Sequence, residues 1–381
     1  MEGWERERSR AIVYGLVAIR YGAPSALVGF PAGAYLFDPP MKGRPVMKVL
    51  ISDYAESMMP EHGLETETLK SHLGEDLEVE VYAYTDDARE EFYEHLADAD
   101  ALLTAFIQMD KEAFEHAPKL KVIAINATGF DNVDMEEATK RGVGVCPVGE
   151  YCTWDVSESA IAYMCALNKH FKFYIGQIEQ QHRWDYAAAP EVPRLEDQTL
   201  GIFGFGKIGK CTAKKAKGLV KRIIANDPFI DQGLFAEHGV EQAEIDEVLE
   251  NADIIVNHMN LNETNMHYFD AEKFAKMKKK PIVINLGRGL SIDEPALIEA
   301  LDEGKIRAFG ADVLYDETPD LANHPLVGRE NVIITPHSAF YSSSSLRDLM
   351  VFPCNNIGYF LTGQKDKLFK LVNDVPVVNV L

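Results

Sequence analysis

The sequence predicts an α/β chain built as two doubly wound parallel-sheet domains. Short apolar runs alternate with helical patterns along most of its length, each run bounded by Gly, Asp, Asn or Pro. Strands of nearly continuous apolar character need cover on both faces, which is the pattern of a parallel sheet flanked by helices. The alternation comes in two series joined by a Pro-containing connection at residues 189–194, and 381 residues leave room for two cores.

The first series opens with the strand at residues 48–52, directly after Met47, and continues with strands at 79–84, 101–104, 121–126 and 142–146. A helical pattern from Tyr151 places Val156, Ile161, Met164 and Leu167 along one stripe. The second series has strands at 200–204, 222–226, 253–258, 281–286, 309–314 and 331–335, and residues 346–361 form a helix able to return the chain to the first series. The domains are therefore expected at 47–150 with 340–381, and at 151–339. Residues 1–46 stand apart as a leader without a predicted fold. They carry six basic and four acidic side chains in a chain of net charge −22, and a chain starting at Met47 is expected to fold without them.

That net charge argues against binding nucleic acid or an anionic membrane surface, because phosphate recognition needs clustered Lys and Arg. Crossing a bilayer takes about 18 to 20 apolar residues. The longest candidate, residues 11–37, is interrupted by Arg20. Arg6, Arg8 and Arg10 precede it, but no clean small-residue cleavage site follows, so no signal peptide is predicted. The five cysteines form no CxxC pair and no His-rich cluster accompanies them. Neither a disulfide framework nor a metal site is indicated, and a reducing cytoplasm is expected.

The strand ending near Phe203 runs into Gly204-Phe205-Gly206-Lys207-Ile208-Gly209 and then into a helical segment. In that context the first glycine permits a tight turn, the second lets a pyrophosphate approach the backbone, and the third lets helix pack on strand. Asp227 ends the next strand 18 residues beyond Gly209, where a carboxylate accepts hydrogen bonds from an adenosine ribose. An Asp there repels a 2′-phosphate, and Pro228 and Phe229 offer no compensating Arg. NAD is the expected cofactor. Three further strand ends carry polar groups: Arg288 after Asn285-Leu286-Gly287, Asp312 with Glu317 close behind, and His337 after Thr335-Pro336. A cation to bind a carboxylate and a proton donor beside a carbonyl are the groups that keto-acid reduction requires.

These segments resemble, in order, character and approximate spacing, the signature motifs of the D-isomer-specific 2-hydroxyacid dehydrogenases, from about Met47 to the C-terminus. The segment His337-Ser338-Ala339-Phe340-Tyr341 is most similar to the D-lactate and D-hydroxyisocaproate dehydrogenase branch. The resemblance implies a Rossmann NAD-binding domain inserted in a flavodoxin-like substrate domain, a homodimer joined through its cofactor domains, and catalysis in the cleft. It implies that His337 is the acid/base, that Glu317 hydrogen-bonds it and favours the imidazolium, and that Arg288 holds the substrate carboxylate and keto oxygen. Asp312 matches a residue near the nicotinamide carboxamide. His258, Met259, Asn260 and Asn265 match the cofactor loop, with Leu286 beside it.

In the first domain, Thr128 and Gly129 match the loop whose N–H groups bind the substrate carboxylate. Phe106, Tyr151 and Phe340 match the pocket wall. Asn260 stands where the family often has Pro, and Thr318 separates Glu317 from Pro319 where many members have Glu-Pro. The implied activity is interconversion of a small or apolar 2-keto acid and its D-2-hydroxy acid. Two rivals stay open: an NAD(H)-sensing protein similar to the C-terminal-binding co-repressors, and a phosphoglycerate- or hydroxypyruvate-type dehydrogenase. The phosphoglycerate type calls for a basic residue beside Gly129, which Asn126 and Ala127 do not supply.

Overall fold

The computed structural model describes residues 46–262, 264–316 and 319–380; all but the last residue of the expected leader lies outside them. The chain divides into two compact units. One comprises the described residues up to Tyr151 together with those from Leu346 on, and the other is Cys152–Ser345. The sequence reading put the return to the first unit at residue 340, whereas the packing puts it at Leu346.

In the first unit Lys48–Tyr54 (β1), Glu78–Tyr84 (β2), Ala101–Thr104 (β3), Val122–Ile125 (β4) and Gly144–Pro147 (β5) pair in parallel in the order β2-β1-β3-β4-β5. This is the flavodoxin-like order. Alternate residues of each strand enter different cores. Val49, Ile51, Leu103 and Val122 join Leu69 and Leu73 of the helix Gly63–Leu73, while Leu50, Leu102 and Ile123 join Phe92, Leu96 and Phe114 on the other face. A sheet covered on both faces has no polar side, so its inner strands read as unbroken apolar runs, while the edge strand β2 alternates with Glu. The C-terminal helix Ser343–Leu361 lays Cys354, Ile357, Phe360 and Leu361 into the first of these cores, as its apolar pattern predicted.

The second unit holds Thr199–Phe203 (β6), Arg222–Asn226 (β7), Glu241–Gln242 (β8), Ile254–Asn257 (β9), Ile282–Asn285 (β10), Ala308–Ala311 (β11) and Val332–Ile334 (β12). They form a parallel sheet of order β12-β11-β10-β9-β6-β7-β8, the doubly wound Rossmann order with one further strand. Several connecting helices start on an Asp whose side chain accepts a backbone N–H of the first turn, Asp270 from Lys273 and Asp293 from Ala296 among them. No helix of the described residues is long and apolar enough to cross a membrane.

Candidate active site

Every strand of the second unit points its C-terminal end the same way, and the residues singled out from the sequence sit at those ends. After β6 the chain turns at Gly204, whose φ is +86°. A Cβ at Gly204 would lie 2.8 Å from the His258 carbonyl carbon, and one at Gly209 would lie 2.2 Å from the Gly204 oxygen. No L side chain fits either place. A Cβ at Gly206, by contrast, would meet nothing within 4 Å, so backbone lies open at the start of the helix Lys207–Ala216. Lys207 is exposed and Ile208 half-buried on its first turn. Those features suit a pyrophosphate set against the first turn of the helix and the positive end of its dipole.

Asp227 follows β7. Its carboxylate accepts the Phe205 N–H at 2.8 Å and the Phe229 N–H at 3.0 Å, which ties the glycine turn to the next strand end. The loop after β9 begins with His258 and Met259, both partly buried, and passes the exposed Asn260. Asn265 staples that loop: its Oδ1 accepts from Asn262 N at 2.7 Å and its Nδ2 donates to the Asn260 carbonyl at 2.6 Å. The Asn265 side chain is thus engaged within the loop.

Leu286 is buried after β10, and Arg288 is exposed two residues on. The Arg288 carbonyl accepts from Asn285 Nδ2 at 3.0 Å and Ser291 Oγ at 2.6 Å, fixing the turn from which the guanidinium projects. Asp312 follows β11 and is 3% exposed. Its carboxylate accepts from the Thr335 hydroxyl, from Ser338 N at 2.8 Å and from Ala339 N at 2.8 Å. Burial pushes its pKa up, and the three donors with nearby His337 oppose that shift. Asp312 therefore clamps the loop that carries His337. Tyr163 braces the same loop, donating to the Ala311 carbonyl at 2.9 Å and contacting the Thr335 hydroxyl.

His337 has φ +50°, in the left-handed region, and its N–H bonds the carbonyls of Asp312 at 2.8 Å and Thr335 at 3.1 Å. A left-handed non-glycine residue costs roughly 1–3 kcal/mol and persists where its surroundings over-determine it. Here the Asp312 clamp does so. Glu317 and Thr318 lie outside the described residues. Phe340, buried in the same unit, ends this stretch.

In the first unit Phe106 follows β3, exposed Thr128 and Gly129 follow β4, and Tyr151 follows β5, again all at C-terminal ends. Asp53, at the end of β1, accepts the N–H groups of Ala105 and Phe106 and the Thr104 hydroxyl, and so shapes the Phe106 loop. Sequence reasoning missed Asp53, Thr335, Tyr163, Asn257, Asn285 and Ser291. Two of them left a signal, since Asn257 and Asn285 close otherwise apolar strands and are in register. No group of three or more His, Cys, Asp or Glu able to hold a metal occurs among the described residues.

His258 follows β9 at the start of the cofactor loop. Its Nε2 lies 2.9 Å from Thr212 Oγ1, its Nδ1 is buried without a partner, and burial lowers its pKa from 6.5 to about 3. It is neutral at working pH and packs behind the glycine turn. The unfolded chain takes up a proton at this site below pH 6.5 and the folded chain does not, so stability present above 6.5 is lost as pH falls toward 3. Denaturant unfolding followed by tryptophan fluorescence should show His258→Gln losing about 2 kcal/mol less than the parent between pH 7 and pH 5. Equal losses would mean that His258 is not buried in its neutral form.

Comparison with known proteins agrees with this geometry. Residues 161–339 match the family model described as D-isomer specific 2-hydroxyacid dehydrogenase, NAD binding domain. The chain is 33% identical over 275 residues to a glyoxylate reductase of Korarchaeum cryptofilum, covering 71% of this chain and 82% of the relative. It is 33% identical over 296 residues to a hydroxypyruvate reductase of Blautia hydrogenotrophica, covering 76% and 90%. Among solved structures, D-lactate dehydrogenase from Aquifex aeolicus complexed with NAD and lactic acid is similar with a TM-score of 0.71 at 25% identity, over 86% of this chain and 99% of that one. With the glycine turn, Asp227 and the two parallel sheets in place, the chain belongs to the D-isomer-specific 2-hydroxyacid dehydrogenase family, whose members are NAD-dependent oxidoreductases.

Proposed function

We propose that this protein reduces a small 2-keto acid with an uncharged side chain to the D-2-hydroxy acid, and catalyses the reverse oxidation. The observation that carries this reading is the Asp312 clamp: Asp312 follows β11, the strand beside the one whose turn projects Arg288, and holds the His337 loop that follows β12. When bound, NADH supplies the hydride. Gly204, Gly206, Lys207, Ile208 and Gly209 would cradle its pyrophosphate, and Asp227 would accept hydrogen bonds from its ribose hydroxyls. His258, Met259, Asn260, Asn265 and Leu286 form the surrounding wall. Arg288 pairs with the substrate carboxylate and polarises the keto oxygen, and His337 delivers the proton to that oxygen. Glu317 is assigned the ring of His337 on the sequence resemblance alone. Asp312 is a positioning residue for His337, and the sequence resemblance would put it near the carboxamide end of the cofactor. The sequence resemblance alone assigns Thr128 and Gly129 to the substrate carboxylate and Phe106, Tyr151 and Phe340 to its side chain.

An anionic side chain would need a second cation, and desolvating it unpaired costs several kcal/mol. Glyoxylate and hydroxypyruvate, the substrates named for the two relatives, are small and uncharged in the side chain. They fall within the same class as pyruvate.

Two inferences accompany the activity. Phe171, Ile175 and Ile178 stand exposed at helical spacing on Phe171–Glu179, and Trp184 and Tyr186, each over 90% exposed, follow them. An apolar patch of this kind supports a homodimer through the cofactor units; light scattering should report a dimer that Ile175→Glu converts to monomer, and a parent monomer would end the proposal. All five cysteines are free, which suits a cytoplasmic location.

The test of function is a panel assayed with NADH and NADPH. Glyoxylate, hydroxypyruvate, pyruvate, 2-ketoisocaproate or phenylpyruvate should exceed oxaloacetate and phosphohydroxypyruvate in kcat/KM, with NADH preferred, and Asp227→Ala should narrow the cofactor gap. Preference for a dianion or a phosphorylated acid would overturn the pocket assignment. NADH binding without turnover of any keto acid would favour a dinucleotide-sensing protein.

A further inference from the structure

We propose that Asn257 is a positioning residue that couples the Arg288 turn to the cofactor loop at Met259, so that the substrate cation and the wall of the NAD site move as one unit. The inference rests on the assignment of Arg288 as the substrate cation.

Asn257 is the last residue of β9, fully buried, and opposite Asn285 in the parallel pairing of β9 with β10. A polar amide at 0% exposure must find partners within the protein. It finds three. Its Nδ2 donates to Asn285 Oδ1 at 2.9 Å and to Ser291 Oγ at 2.8 Å, and its Oδ1 accepts the Met259 N–H at 3.0 Å. Asn285 and Ser291 are themselves buried, and both donate to the Arg288 carbonyl, while Asn285 Oδ1 also accepts the Gly287 N–H at 3.2 Å. The two groups that grip the Arg288 carbonyl are thus both held by one amide. The other end of that amide grips the first turn of the cofactor loop.

The orientation of each partner fixes the next. Ser291 Oγ has one proton, and because it accepts from Asn257 that proton is directed to the Arg288 carbonyl. Asn285 Oδ1 is kept facing Asn257 and Gly287, which leaves its Nδ2 for Arg288. A network with every member satisfied has one low-energy arrangement, and in a buried setting a half-satisfied alternative is strongly disfavoured. A shift of Met259 on cofactor binding is therefore transmitted to the Arg288 backbone through three hydrogen bonds.

The test uses Asn257→Leu, close in volume and unable to hydrogen-bond, and Ser291→Ala, which removes a single link. Hydrogen exchange by mass spectrometry on the full chain reads the network without reference to activity. Asn257→Leu should speed exchange in peptides covering both 257–262 and 285–292, and Ser291→Ala in 285–292 only. In steady-state assays Asn257→Leu should raise the keto-acid KM roughly tenfold, with a smaller fall in kcat and an unchanged pH profile, since a guanidinium misplaced by a fraction of an ångström loses binding more than proton transfer. If Asn257→Leu does not fold, Ser291→Ala should still raise the keto-acid KM about threefold with NADH KM unchanged. Exchange altered only around 257–262, or an unmoved keto-acid KM in both variants, would overturn the coupling. Should no keto acid be turned over by the parent, the reading of Arg288 fails, while the exchange data still decide whether the two loops are linked.

Discussion

Parallel pairing is the constraint from which the candidate site follows. In the second unit every strand pairs in parallel with its neighbours, so each connection carries the chain back to the starting edge and all C-terminal ends meet on one side. Gly204, His258, Arg288, Asp312 and His337 come from five segments scattered over more than a hundred residues, and they share that side because β6, β9, β10, β11 and β12 share a direction. The first unit repeats the arrangement with Phe106, Thr128 and Tyr151. A fold of this kind leaves chemistry to the loops and stability to the strands.

Loops alone would be too loose for chemistry, and buried polar side chains supply the stiffness. Asp53 gathers the backbone after β3, Asp227 ties the glycine turn to β7, Asn265 staples the cofactor loop, and Asp312 gathers the backbone after β12. Each satisfies N–H groups that no strand partner could reach. The left-handed backbone at His337 shows what such a clamp permits, since conformational cost is carried at the residue proposed to do the chemistry and compensated by its neighbours.

Much of this was legible beforehand. The sequence pattern located eleven of the twelve strands among the described residues, the inner ones because strands buried on both faces cannot hide their composition, and the exception, Glu241–Gln242, is a two-residue exposed edge pairing with no apolar signal. The glycine turn was legible because its steric demand is local. Asn257 left a signal as the polar end of an apolar strand but no hint of its partners, and Ser291 left none, since only the folded turn after Arg288 shows what it faces. The state of His258 was hidden for a similar reason. Sequence places a histidine beside a cofactor loop, but only packing shows it buried, neutral and set against Thr212. The return of the C-terminal segment was clear from the pattern at residues 346–361, while its first residue depended on contacts that no periodicity encodes.

The central claim is that His337 is the proton donor to a bound keto acid. The most direct measurement is reduction of the best keto acid by His337→Ala under saturating NADH, with NADH affinity determined in parallel by fluorescence. The account predicts a fall in kcat of about two to four decades, the usual contribution of a positioned general acid, with NADH affinity nearly unchanged. Near-normal kcat in that variant would contradict it.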